Sequence, residues 1–191
     1  MIYFKQISAI LTLCFLGFFA GFLIVDNLIE RPNTSIDHSI ENYQYFFNRG
    51  AVSKDSLRLG WSHIEDWGVW SDANEAIIHL PIKKTPIKEI SFDFMMQVFN
   101  GGNSPQNIEV YVHNHHAVTW SYPVKRNLHL KQLNFKLPKP LTSNQLKITF
   151  KISKPISPKD LHMSSDARKL GIGLSRISFI TKGLSPNRIV Q

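Results

Sequence analysis

Residues 60–72 read GWSHIEDWGVWSD and hold three of the four tryptophans of this 191-residue chain. The rings are interleaved with carboxylates, in the order Trp61, Glu65, Asp66, Trp67, Trp70 and Asp72. Aromatic rings stack on the apolar faces of sugars, and carboxylates accept hydrogen bonds from hydroxyls. Tryptophans also cover the end of a hydrophobic core, since each ring buries about 150–250 Å². The stretch therefore predicts either a glycan-binding surface or a cap over the core.

The spacing of the rings bears on which of them is exposed. Successive residues of a strand face opposite sides, so Trp67 and Trp70, three positions apart, are predicted to point in opposite directions. One of them then faces inward, and we expect Trp61 or Trp67 to be the exposed ring. Together with Glu65, the three tryptophans are candidate ligand-binding residues.

Asp166 and Arg168, two positions apart, form a second pair of candidate ligand-binding residues. On an extended segment their side chains share a face, which suits an ion pair or a shared set of hydrogen bonds. The pair is either a polar clamp on a sugar or a structural lock that ties residues 165–171 to residues 67–71. Because a buried or half-buried arginine usually needs a carboxylate partner, the lock is favoured.

The histidine-rich sequence HNHH at residues 113–116 is a weaker candidate for chemistry. Metal ligands must converge on one point, whereas Val112 and Val118 flank this sequence as the ends of two strands would. We therefore predict a hairpin loop over residues 114–117 with exposed histidines, and no metal site.

The chain lacks the residue patterns that identify common catalytic sites. Its single cysteine, Cys14, lies in an apolar N-terminal segment, and neither GxSxG nor HExxH occurs. Glu65 and Asp66 are adjacent and would point apart, unlike the facing carboxylates of a glycosidase. The sequence thus favours a binding or structural role over catalysis and predicts no cofactor.

Residues 7–25, ISAILTLCFLGFFAGFLIV, carry no charge and are long enough to cross a bilayer as a helix. A cleaved signal peptide is the alternative, but its apolar region should be shorter, and residues 20–22 (AGF) match a cleavage site poorly. Lys5 precedes the segment and acidic residues follow it, which predicts a cytoplasmic tail at residues 1–6. We therefore predict a single-pass anchor in a bacterial inner membrane, with the following domain in the periplasm.

Beyond a polar linker predicted over residues 26–43, the sequence changes to short runs of alternating apolar and polar residues. Such runs predict antiparallel strands at seven places: residues 76–82, 87–99, 107–113, 117–122, 128–137, 145–152 and 172–180. A single helical turn is predicted after Pro158. Since βαβ alternation does not occur, we predict an all-β, jelly-roll-like antiparallel sandwich over residues 44–182, with a tail at residues 183–191.

The net charge of +8 is unevenly distributed. Residues 125–159 contain nine Lys or Arg and neither Asp nor Glu. This run predicts either a basic face for anionic headgroups or glycans, or an ordinary solvated strand face. The outward topology argues against nucleic acid as a partner.

Two motifs together resemble a known family. The first is GWS followed by EDWGVWS within residues 60–71, and the second is SDARKLGIGL at residues 165–174. The paired pattern resembles a carbohydrate-binding-like β-sandwich domain of bacterial envelope proteins that is often fused to membrane glycosyltransferases. The resemblance covers residues 45–182. It implies a role beside the assembly or modification of surface polysaccharide or lipid-linked sugar, with a glycan and a membrane glycosyltransferase as partners.

Two functional hypotheses follow. In the first, the chain is a membrane-anchored periplasmic carbohydrate-binding-like module. In the second, it is an interaction subunit of an envelope protein complex that uses a Trp-rich edge. A concave face with a ring and several hydrogen-bonding groups favours a glycan, whereas an exposed apolar strip rimmed by charge favours a protein.

Overall fold

The computed structural model describes residues 40–83, 86–101, 105–123 and 128–183. The predicted cytoplasmic tail and membrane anchor lie outside the described residues, as do residues 26–39 of the linker and residues 184–191 of the C-terminal tail. Across the ranges that are described, no helix combines the length and the apolar character needed to span a membrane.

The described part of the chain forms ten strands and one short 3₁₀ helix at Val52–Ser56. The strands are β1 (Ile40–Phe46), β2 (Trp61–Ile64), β3 (Val69–Ser71), β4 (Glu75–Pro81), β5 (Ile87–Val98), β6 (Gln106–Val112), β7 (His115–Tyr122), β8 (Leu128–Leu141), β9 (Gln145–Ile152) and β10 (Ile172–Gly183). Strands β4 to β10 lie where the alternation of apolar and polar residues predicts them, because alternation commits one side of each strand to the core.

The strands form two antiparallel sheets. One sheet has six strands in the order β2-β3-β10-β5-β8, with β1 also paired to β10, and the other has four in the order β4-β9-β6-β7. The pairs β3–β10, β4–β9, β5–β8 and β6–β7 are nested along the sequence, which is the pairing order of a jelly roll. The all-β sandwich predicted from the sequence is therefore confirmed.

The core lies between the two sheets and is rich in aromatic rings. Phe94 of β5 packs edge-on against Trp120 of β7 and Phe150 of β9, with ring centroids 5.5 and 5.9 Å apart. Every second residue of β5 from Ile90 to Val98 is buried, while the residues between them face outward. Since each fully buried apolar side chain contributes about 1.5–3 kcal/mol, this alternation determines which face of β5 meets the core.

β1 begins at Ile40, inside the stretch predicted as linker. It pairs with β10 over its whole length. Tyr43 and Tyr45 both stack on Phe179 of β10, with ring centroids 4.8 and 6.0 Å apart. The strand is thus held by two tyrosines and backbone pairing rather than by alternating aliphatic residues, which is why the sequence pattern missed it.

The region after Pro158 forms no helix in the structure. Residues 158–162 are consecutive hydrogen-bonded turns, in which the His162 N–H donates to the Lys159 carbonyl at 3.0 Å. The Asp160 N–H donates to the Ser157 hydroxyl at 3.0 Å. The predicted helical turn is therefore corrected to a series of turns.

The lysines that the structure describes within the basic run at residues 125–159 do not lie on one face. Lys136 of β8 lies on the outside of the six-stranded sheet, whereas Lys147 and Lys151 of β9 lie on the outside of the four-stranded sheet. Because β8 and β9 belong to different sheets, the charges are divided between the two sides of the sandwich, as the solvated-strand interpretation expects.

Candidate functional site

The predicted ion pair between Asp166 and Arg168 is present, and it reaches further than its own loop. Arg168 Nη2 lies 2.7 Å from Asp166 Oδ2, and Nη1 lies 2.9 Å from Glu65 Oε1 and 3.1 Å from Ser62 Oγ. The second oxygen of Glu65 accepts the indole N–H of Trp67 at 2.9 Å. One guanidinium thus joins the loop before β10 to the β2–β3 hairpin.

The charges of this cluster satisfy one another. The side chains of Arg168, Glu65 and Asp166 are 23%, 26% and 27% exposed, so all three are half-buried. Hydrogen bonds from Arg168 hold the pKa of Asp166 below its usual range, and hydrogen bonds to Asp166 raise the pKa of Arg168. The arrangement fits the structural lock, because its donors and acceptors already have protein partners.

Two further side chains join the same segments. The Asp72 carboxylate accepts the Lys169 N–H at 2.7 Å, and the Ser71 hydroxyl accepts the buried N–H of Ile172 at 2.9 Å. These contacts fix the path of the chain into β10 and, with it, the position of the hairpin that carries Trp67.

Trp67 and Trp70 do not point to opposite faces, contrary to the prediction. Their rings meet edge to face with centroids 5.2 Å apart. The prediction fails because residue 67 lies in the turn between β2 and β3, where strand alternation does not apply. Gly173 leaves the space for this pair, since a Cβ there would lie 2.4 Å from Trp67 Cη2 and 3.0 Å from Trp70 Cε3.

Trp61 is separate from this cluster. Its indole N–H donates to the Ile77 carbonyl at 2.9 Å, and its ring meets Phe150 edge-on with centroids 6.2 Å apart. Trp61 is half-buried and packs against the core, so it takes the capping role. The structure therefore brings together Glu65, Trp67, Trp70, Asp166 and Arg168, and leaves Trp61 apart from them.

Sequence reasoning missed the outer face of the six-stranded sheet. A row of polar side chains crosses four strands of this sheet in register: Gln44 of β1, Ser178 of β10, Asp93 of β5 and Gln132 of β8. Gln132 Nε2 donates a hydrogen bond to Asp93 Oδ1 at 2.9 Å. Neighbouring strands lie about 4.8 Å apart, so the row extends about 14 Å across the sheet.

This row lines a groove of about 570 Å³ on the outer face of the sheet, referred to below as the groove. Its polar lining consists of amides, hydroxyls and one carboxylate: Asn42, Gln44, Ser91, Asp93, Gln132, Asn134 and Ser178. Such groups offer both donors and acceptors of hydrogen bonds. A signal for them exists in the sequence, because the outward positions of β5 and β8 hold short polar residues. Each strand alone still looks like an ordinary solvated face.

One end of the groove has an aromatic border. Phe46, Arg176 and Met95 form a row two residues further along β1, β10 and β5. A pocket of about 260 Å³ at this place, which we call the end pocket, is lined by Phe46, Asn48, Trp67, Met95, Ser175 and Arg176. Phe46 is 45% exposed. Trp67 is therefore the predicted ring that lines a surface pocket.

The histidine-rich sequence forms a hairpin, as predicted, but the turn is shorter. Its two residues are His113 and Asn114, with φ of 48° and 69°, and His115 already belongs to β7. Positive φ at both positions is the geometry of a two-residue type I′ turn. His113 Nε2 accepts the Lys147 N–H at 3.2 Å, and burial lowers the pKa of His113. Among the described residues, no three His, Cys, Asp or Glu side chains are grouped to hold a metal.

A family model described as a domain of unknown function (DUF7024) matches residues 34–181. The match spans more than half of the chain, so the chain belongs to this family. No curated protein matches the chain.

Several solved structures are similar in fold. Dimeric latent PorU from Porphyromonas gingivalis matches with a TM-score of 0.50 and 12% identity, over 78% of this chain and 13% of the PorU chain. This chain thus spans a small part of PorU, and at this identity the likeness bears on the fold alone.

Two carbohydrate-binding modules also match, with lower TM-scores. A family 35 module from an environmental isolate has 17% identity and a TM-score of 0.34, over 76% of this chain and 91% of the module. The CBM36-1 domain of a multidomain xylanase from the hindgut metagenome of Trinervitermes trinervoides has 8% identity and a TM-score of 0.41, over 76% of this chain and 99% of that domain.

Proposed function

We propose that this member of the DUF7024 family is a membrane-anchored, periplasmic glycan-binding module that holds its ligand in the groove of the six-stranded sheet. The observation that carries the proposal is the row of Gln44, Ser178, Asp93 and Gln132, which lies in register across four strands. A face of this kind offers hydrogen bonds along a line, which suits a chain of sugar rings.

The chemistry of the lining supports a sugar over a charged or apolar ligand. Amides and hydroxyls both donate and accept, as sugar hydroxyls do, and they are less strongly hydrated than lysine or glutamate. The end pocket adds Phe46 and Trp67, whose rings suit the apolar face of a sugar. Few precisely placed polar groups beside an aromatic surface are typical of small-molecule sites.

In this proposal the predicted site residues have different roles. Trp67 and, behind it, Trp70 form the aromatic end of the site. Glu65, Asp166 and Arg168 position Trp67 through the Glu65 hydrogen bond to its indole N–H. Trp61 supports the core and does not contact the ligand.

The anchor and the envelope role rest on the sequence. The uncharged residues 7–25 suit a membrane helix, and a domain held at the membrane surface meets membrane-bound partners at a raised effective concentration. We infer that the module acts without catalysis beside a membrane glycosyltransferase, in the assembly or modification of surface polysaccharide or lipid-linked sugar.

A glycan array probed with the full chain in detergent tests the proposal. The variant Asp93→Ala/Gln132→Ala removes the hydrogen-bonded pair of the groove. Its matched control, Glu109→Ala/Tyr111→Phe, removes a hydrogen-bonded pair of 2.7 Å on the four-stranded sheet. We expect the wild type and the control to bind the same glycans and the groove variant to lose them. Binding that survives in the groove variant, or is lost in the control alone, contradicts the groove as the site.

A second function is favoured by a different observation on the same face. Three large apolar residues of the six-stranded sheet are exposed: Phe46 at 45%, Ile180 at 48% and Leu130 at 56%. Exposed apolar side chains of this kind also occur at protein interfaces. An interaction subunit that binds an envelope protein predicts no glycan binding and a loss of partner binding in Phe46→Ser/Ile180→Ser. The array therefore separates the two functions.

A further inference from the structure

A β-bulge places two consecutive residues of β10 outside the core. Leu174 and Ile177 are both fully buried, and the pairing of β10 with β5 shifts register between Leu174 and Arg176. Two residues instead of one separate the buried positions, so neither Ser175 nor Arg176 enters the core. β-Bulges are found beside binding sites because they redirect a side chain. Here the redirected side chain is a guanidinium in the end pocket.

The guanidinium of Arg176 contains a donor that no described residue satisfies. Within the described ranges, its Nε atom is buried and has no hydrogen-bond partner. Nearly all buried donors in folded proteins have an acceptor, so the Nε of Arg176 calls for an acceptor that the described residues do not supply. An arginine attracts an oxyanion in particular, because its planar fork matches a carboxylate with two hydrogen bonds.

The carboxylates of the neighbouring segments are engaged elsewhere. Glu65 accepts hydrogen bonds from Trp67 and Arg168 at 2.9 Å each. Asp66 pairs with Arg49 at 3.0 Å, and Asp93 accepts the Gln132 amide at 2.9 Å. These three groups are satisfied without Arg176, so none of them serves as its partner.

On the basis of the proposed glycan-binding function, we propose that the end pocket is a subsite for an acidic sugar residue. The sugar carboxylate pairs with the Arg176 guanidinium, and the sugar ring lies against Trp67 and Phe46. The rest of the glycan continues into the groove, because the row of Arg176 is adjacent to the row of Ser178 and Asp93. The ligand class is therefore a polysaccharide that contains hexuronic acids.

The test compares acidic oligosaccharides with their neutral counterparts. Fragments of polygalacturonate, alginate and glucuronan are titrated into the full chain in detergent at 0.15 M salt, beside the same fragments with carboxyls reduced to alcohols. Sugar phosphates and sulfates are included to separate a carboxylate from other anions. Arg176→Gln is the test variant, and Arg49→Gln is its matched control, since both lower the net charge by one.

We expect one acidic fragment to bind the wild type at least about tenfold more tightly than its reduced counterpart, as for a charged hydrogen-bonded pair. Arg176→Gln is expected to lose this preference while it still binds the neutral fragment, and Arg49→Gln to keep it. Arg176→Lys retains the charge without the planar fork, and is expected to keep part of the preference. Circular dichroism melting confirms that each variant is folded, and quenching of tryptophan fluorescence by the acidic fragment gives a second readout.

Equal binding of acidic and neutral fragments overturns the acidic subsite but leaves the proposed function intact. The same holds if Arg49→Gln loses the preference, because the attraction is then due to overall charge, or if phosphates or sulfates bind more tightly than uronates. If no fragment and no glycan on the array binds, the proposed function and the subsite both fail.

Discussion

Arg168 Nη1 and Glu65 Oε1, whose residues are 103 positions apart in the chain, lie 2.9 Å from each other. This contact connects the loop before β10 to the β2–β3 hairpin, and the same carboxylate holds the indole of Trp67. Under the proposed function, this structural ion pair positions an aromatic ring of the end pocket without contacting the ligand itself.

The lock is expected to contribute more to stability than an exposed ion pair does. Arg168→Met leaves Glu65 and Asp166 half-buried without their partner, and we expect the free energy of unfolding to fall by about 2 kcal/mol. Arg49→Met is the control, because Arg49 and Asp66 are 73% and 81% exposed. For such an exposed pair we expect a loss of about 0.5 kcal/mol or less. Urea unfolding followed by tryptophan fluorescence measures both. Equal losses in the two variants would show that the lock contributes no more to stability than an exposed ion pair.

The lock also predicts how the free energy of unfolding changes at acidic pH. The pKa of Asp166 is lowered in the folded state, mainly by hydrogen bonds from Arg168, so the folded protein binds its proton less readily than the unfolded chain. The stability that the Asp166 carboxylate contributes is complete above the usual carboxyl pKa of about 4, and it is lost as the pH falls through the folded-state pKa. The stability difference between wild type and Asp166→Asn is therefore expected to be constant from pH 7 to pH 5 and to narrow below about pH 4. A difference that narrows between pH 7 and pH 5 instead would contradict this origin.

His113 predicts a second change in the free energy of unfolding, between pH 7 and pH 5. Burial lowers the pKa of His113, so below the usual histidine pKa of about 6.5 the unfolded chain binds a proton more readily than the folded protein. The free energy of unfolding is thus expected to fall between pH 7 and pH 5, and to fall less in His113→Asn. Asparagine accepts the positive φ of this turn position. His162→Asn, at an exposed residue with φ of 55°, is the control for effects on turns. Equal slopes for wild type and His113→Asn would rule out this histidine as the cause.

Gly173 predicts how tightly the tryptophan pair is packed. In Gly173→Ala the new Cβ would lie 2.4 Å from Trp67 Cη2, so the ring must move, and we expect a loss of about 1–3 kcal/mol with a shifted tryptophan emission. In a Trp67→Ala background the new Cβ no longer meets Trp67, although it still lies 3.0 Å from Trp70 Cε3, so the same substitution should cost less. A double-mutant cycle measures this coupling. Additive effects would show that the steric contact with Trp67 is not the cause.

Sequence reasoning succeeded where the signal is local. The alternation in residues 87–99 predicted β5 and its buried face, because burial follows the period of a strand directly. The spacing of Asp166 and Arg168 predicted their ion pair for the same reason, since both lie on one short segment. It failed for Trp67 and Trp70, where an unrecognised turn replaced strand geometry, and for β1, whose burial depends on Phe179 far along the chain.

The sequence by itself determined the all-β class, the places of β4 to β10 along the chain and the aromatic stretch that carries Trp67. Only the tertiary structure decided that Gln44, Ser178, Asp93 and Gln132 form one row and that Arg176 lies beside Trp67. The physical reason is that apolar residues must be buried, which leaves a periodic trace in each strand, whereas no single strand shows which outward polar residues of other strands will become its neighbours. Their grouping depends on the order in which four distant strands pair and on a bulge in β10, and neither is encoded within a single strand.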